Sequence, residues 1–187
     1  MDVYLQESFD WVLGASLDEL VAAHPAVASP TPEGVSSWDI PPGDRDSLRR
    51  WGLPVMSTNP KSVAFKPDMQ DALSPELAWE GLAAYRLGSY HFRHVGAVRG
   101  SGIVVGIPQD RPYPYGFVWL NGSVTAFIDI AWRFTLALPI LLQWEEANEV
   151  EQLGIGLDRV IEYARSADRM VAEDERFRWW NELQSSW

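Results

Sequence analysis

Apolar positions along the chain change their period twice, dividing it into a helical start, a strand-rich middle and a helical end. Phe9, Val12 and Leu13 predict one or two helical turns, broken at Gly14. Ser16-Leu-Asp-Glu19 ahead of Leu20 and Val21 is a capping box, so a helix begins there and His24-Pro25 stops it. Residues 25–45 are rich in proline, small and acidic residues and predict a surface loop. Asp44 to Trp51 predicts a short helix, ended by Gly52 with Pro54 two residues later. Val63 to Lys66 predicts a short strand, and Ser74-Pro75-Glu76 the start of a brief helix weakened by Gly81.

From Ala83 the period becomes two. Tyr85–Tyr90, Phe92–Gly96 and Gly102–Ile107 predict strands separated by glycine turns. Gly116–Leu120 and Ser123–Ile128 flank Asn121-Gly122, the residue pair that suits a two-residue type I′ turn, so a hairpin is expected there. Alternation would put Phe117, Trp119, Val124, Ala126 and Ile128 on one face. A long apolar helix from Ala131 to about Glu149 follows, with a kink expected at Pro139, then helices over Leu157–Val171 and Asp174–Ser185. Strands in one run with helices around them indicate an α+β fold: a curved antiparallel sheet of about five or six strands flanked by helices, in a single domain over residues 1–187.

Composition narrows the class. With 47% hydrophobic residues and abundant aromatics, disorder is excluded. The absence of cysteine excludes disulfides and thiolate metal sites. The start, Met1 to Glu7, is acidic and has no signal-peptide pattern. The longest apolar run, Ala131 to Trp144, is broken by Arg133, Pro139 and Gln143 and falls short of the ~20 residues of a membrane span. A soluble, cytoplasmic protein with no membrane partner is expected.

The net charge of −11 is unevenly spread. Residues 1–47, the acidic N-terminal helix and proline-rich loop, and residues 145–187, the acidic C-terminal helices, bracket a mildly basic middle. That pattern disfavours a nucleic-acid groove, which needs clustered Lys and Arg. It favours a basic protein partner, or else serves solubility alone.

Candidate chemistry is sparse. Ten tryptophans are many for 187 residues. Phe177, Trp179, Trp180 and Leu183 put aromatics on two faces of the last helix, where core packing competes with partner contact. Trp38, in the proline-rich loop, is the candidate exposed anchor. Glu145, Glu146 and Glu149, with Glu151 beyond, form the densest acidic group; Glu145 and Glu149 share a helix face and repel unless a cation relieves them. Asp39, Asp44 and Asp46 form a second group, and Asp44 is also a candidate helix cap. His91 and His94 would fall on opposite strand faces, which is poor geometry for one metal. Phosphate-binding loops, zinc-protease helices and nucleophile elbows are missing, so no enzyme activity, cofactor or metal is expected.

Ser16-Leu-Asp-Glu-Leu-Val21, Asp46-Ser-Leu-Arg-Arg-Trp-Gly-Leu-Pro54, Gly116-Phe-Val-Trp-Leu120, Phe127-Ile-Asp-Ile-Ala-Trp-Arg-Phe134 and Phe177-Arg-Trp-Trp180 occur in that order. The series resembles the fourth branch of the SUKH superfamily of bacterial immunity proteins, across residues 16–183. Pro108 to Tyr115 departs from it, standing where the family has a compact Asp/Gly turn. The resemblance implies an antitoxin that binds and occludes a cognate toxin domain, often one acting on nucleic acid. Trp38, Asp39, Asp44, Asp46, Glu145, Glu146 and Glu149 are the residues expected to meet it. Two other readings compete: a small-ligand or carbohydrate-binding domain using the tryptophans and the Pro108–Tyr115 loop, and a non-catalytic interaction scaffold.

Overall fold

The computed structural model describes residues 3–24, 27–29, 31–55, 65–90, 92–109 and 116–173. In chain order these form α1 (Val3–Gly14), α2 (Leu17–Ala23), β1 (Val27–Ala28), α3 (Pro32–Ser37), α4 (Pro42–Trp51) and β2 (Leu53–Pro54). Then come β3 (Lys66–Pro67), β4 (Leu77–Trp79), β5 (Leu82–Tyr90), β6 (Arg93–Val98), β7 (Val104–Pro108) and β8 (Val118–Asn121). The chain continues with α5 (Val124–Glu146), α6 (Val150–Ala167) and α7 (Arg169–Glu173). β1 and β2 form a small pair, and the other strands form a six-stranded sheet ordered β3-β5-β6-β7-β8, with β4 also on β5. All these pairings are antiparallel. The fold is α+β, as the sequence pattern predicts.

α5 is the axis of the core. Fourteen of its 23 residues are buried, because apolar side chains surround most of its circumference. Phe127, Ile128, Ala131 and Phe134 share one core with Tyr85, Leu87, Val95, Ala97, Val104 and Leu120 from the sheet. Each large side chain there contributes about 1.5–3 kcal/mol by leaving water. By length and composition α5 could span a bilayer, contrary to the expectation of a shorter run, but 72% of its apolar window is buried inside the protein. The opposite sheet face carries a smaller cluster of Leu77, Ala84, Val105 and Ile107, against which Trp79, Phe117 and Trp119 pack.

Local signals place several elements. Ser16 and Glu19 make the capping box of α2, with Glu19 accepting from the Ser16 backbone at 2.8 Å. α4 ends on Gly52 at φ 58°, where an added Cβ would sit 2.6 Å from the Ala28 carbonyl oxygen.

Four expectations are corrected. Asn121-Gly122 joins a strand to a helix and closes no hairpin, since Ser123 caps α5 and its Oγ accepts from Ala126 N at 3.1 Å. Phe117 and Trp119 therefore stack edge to face at 5.2 Å beside the smaller cluster, while Val124 and Ile128 enter the main core. A two-residue hairpin lies instead at Glu80-Gly81, both at positive φ, between paired Trp79 and Leu82; this strand turn replaces the helix expected from Ser74. Residues 25–45 are not all loop: Thr31 caps α3, accepting from Gly34 N at 3.2 Å. The helix expected over 157–171 starts earlier, at Val150, and breaks at Asp168. Residues 63, 64 and 174–185 of the other expected elements lie outside the described residues.

Candidate functional site

The two acidic groups read from the sequence sit at opposite ends of α5. Asp39, Asp44 and Asp46 lie beside its start, while Glu145, Glu146 and Glu149 lie at its finish. The 20 residues from Thr125 to Glu145 span about 30 Å of helix, so these are two patches.

The first patch is largely consumed by the fold. Asp39 is exposed and pairs with Arg99 at 3.1 Å; Asp46 is exposed and pairs with Arg49 at 3.0 Å. Asp44 is buried and presents no surface charge: its Oδ1 accepts from Thr125 N at 2.9 Å and Thr125 Oγ1 at 2.8 Å. It thus caps α5 rather than its own helix. Trp38, expected as an exposed anchor, is 1% exposed. Its ring stacks on Tyr85 at 4.8 Å and its Nε1 donates to Ala72 O at 3.3 Å, because residues 31–41 fold back onto the sheet.

The second patch keeps its charge at the surface. Glu145 and Glu146 are exposed in the last turn of α5, against the negative end of its dipole. Asn148 turns the chain at φ 57°, Glu149 is half-buried at the start of α6, and Glu151 is exposed beyond it. Among the described residues Glu146 and Glu151 take part in no ion pair.

Beside this end of α5 lies a feature that the sequence reading missed. α1 runs antiparallel to α5: Phe9 meets Trp144 at 5.1 Å between ring centroids, while the last carbonyls of α1 reach Arg133. Arg133 is buried and fully engaged. Its Nη1 donates to Val12 O at 2.7 Å and Leu13 O at 3.0 Å, its Nη2 to Ala15 O at 2.8 Å, and its Nε to Asp129 at 3.1 Å. The guanidinium supplies donors to helix-end carbonyls that have no partner within the helix. Its far side lies over the Tyr163 ring at 4.3 Å, and Tyr163 donates its hydroxyl to Asp129 at 2.7 Å. Burial first, then the Asp129 carboxylate, pushes the Tyr163 phenol up to about 12.

With Phe9 and Val12 turned inward, helical spacing turns Tyr4, Glu7, Ser8 and Trp11 outward. Glu7, Ser8, Trp11 and Val12 line an open groove of about 430 Å³ together with Leu136 of α5. Trp11 is 44% exposed and Tyr4 80% exposed. The inward spacing of Phe9 and Val12 was the signal that could have singled out Trp11.

Among the described residues no His, Asp and Glu side chains gather as a metal site. His94 is half-buried on the outer sheet face, and burial, then Arg86, lowers its pKa. His91, residues 110–115 of the loop invoked for ligand binding, and the aromatic segment Phe177–Trp180 lie outside the described residues.

A family model, SUKH-4 immunity protein, matches residues 12–185. The chain belongs to the SUKH-4 immunity protein family. No curated protein and no solved structure matches it. Membership assigns an immunity role, implies a cognate toxin as partner and points to a protein that works without catalysis.

Proposed function

We propose that this SUKH-4 protein binds, in the cytoplasm, a basic toxin domain that acts on nucleic acid, and inhibits it by covering its working surface. The observation that carries this reading is an acidic surplus left over after internal pairing. The net charge is −11, yet Glu7, Glu146 and Glu151 have no ion pair among the described residues. A toxin that grips phosphates needs a basic surface, and an acidic binder competes for that surface and steers its own approach. Asp39, Asp46, Glu145, Glu146 and Glu149 are the proposed steering charges; buried Asp44 and Trp38 act through the fold.

The test is capture from a lysate of the native cells on tethered protein, followed by assay of the purified captured protein on DNA and RNA. One basic protein, inhibited at equimolar immunity protein and bound less well at high salt, is the expected result. Capture of an acidic protein, or of one whose activity the immunity protein leaves intact, would overturn the reading.

A further inference from the structure

We infer that the groove between α1 and α5 seats a basic amphipathic segment of the toxin, laid lengthwise with a cation over Trp11; this rests on the toxin-binding reading above. The groove has the features that such a segment requires. Its floor is apolar, from Val12 and Leu136, and Trp11 offers a large, stiff, half-open ring. A guanidinium or ammonium over an indole face gains more than over any other side-chain ring. The stretch of α1 that lines the groove, Glu7 to Val12, rises about 8 Å, enough for roughly one and a half turns of a docked helix.

Charge selects a basic occupant. Glu7 lines the groove and has no ion pair among the described residues. On α5, Leu136, Pro139, Gln143 and Glu146 follow one another at helical spacing, so the groove side of that helix ends on a second free acid. Among the described residues, the nearby cations are already committed. Arg159 pairs with Asp10 at 2.6 Å and lies over Phe9, and Arg133 is sealed beneath the end of α1. A second copy of the chain would bring the same acids face to face, which costs free energy. Arg133, at the end of α1, and the Phe9–Trp144 contact hold the helix on α5 beside the groove.

The test uses the full chain and a labelled amphipathic peptide of leucine and arginine, about 15 residues long, with a matched peptide carrying glutamate for arginine. Binding is read by fluorescence anisotropy at low and high salt for the wild type, Trp11→Ala and Glu7→Lys. Ile155→Ala and Glu33→Lys, exposed changes on α6 and α3, serve as controls. The expected result is salt-sensitive binding of the arginine peptide alone, weakened at least about tenfold by each groove variant and unchanged in the controls. Equal binding by the groove variants, no binding by the wild type, or equal binding of the glutamate peptide would each overturn the inference. The peptide needs no toxin, so a failed capture from lysate counts against the toxin reading, while peptide binding lost only in the groove variants still supports the seat.

Discussion

Asp44 caps a helix that begins some 80 residues after it: one carboxylate oxygen accepts both the backbone N–H of Thr125, at 2.9 Å, and its hydroxyl, at 2.8 Å. Ser123 supplies the neighbouring cap to Ala126, so two donors of the first turn of α5 are satisfied from different parts of the chain. Asp44→Ala removes both bonds in a buried place and should cost about 2 kcal/mol. Urea unfolding would show it as a lower midpoint with an unchanged slope. A variant as stable as wild type would mean that the Asp44 bonds contribute nothing net.

Arg133 ties the end of α1 to the middle of the core. Arg133→Met should destabilise by about 3–5 kcal/mol, since three carbonyls and Asp129 lose their donor. Arg133→Lys should recover little, because an ammonium cannot reproduce the planar fork. Hydrogen exchange would locate the loss: α1 amides should open far more often than those of α4.

Tyr163 predicts an alkaline limit. Its phenol ionises near 12 in the folded chain against an ordinary value of 10, so folding favours the protonated form. That contribution is complete below 10 and is lost as pH rises through 12. Wild-type stability should therefore fall across this interval more steeply than that of Tyr163→Phe. Parallel pH profiles would show that Tyr163 is not the group responsible.

Glu80 occupies the first position of the β4–β5 turn at φ 46°, a conformation that asparagine adopts at less cost. Glu80→Asn should raise stability by about 0.5–1 kcal/mol, seen as a higher thermal midpoint.

The acidic turn predicts a kinetic phenotype. Reversing Glu146 and Glu151 together to lysine should slow association with the toxin by about tenfold at low salt, with little change in dissociation. Reversal of Asp46, which already pairs with Arg49, should do less. Stopped-flow association at two salt concentrations separates the two, and equal slowing by both would sink the distinction.

The elements legible in the sequence are those whose cause is local. Ser16 and Glu19 announce α2 within four residues, Gly52 ends α4 at the φ only glycine takes freely, and alternation marks β5, β6 and β7. The family series and the acidic surplus were legible for the same reason, being properties of residue order and count. Tertiary structure decided the rest. Asn121-Gly122 looks like a hairpin turn until Asp168, far along the chain, accepts from the Asn121 amide at 2.9 Å and the Gly122 N–H at 2.8 Å, with Asp44 capping the helix beyond. Trp38 looks exposed until Tyr85 stacks on it, and Trp11 gains its groove only when Arg133 draws α1 against α5. A local pattern fixes backbone geometry over a few residues, whereas burial depends on partners brought together by chain segments far apart in sequence. That is why the charge of this protein could be read from its residues, while which acids the fold would take up, buried Asp44 and the paired Asp39 and Asp46, could not.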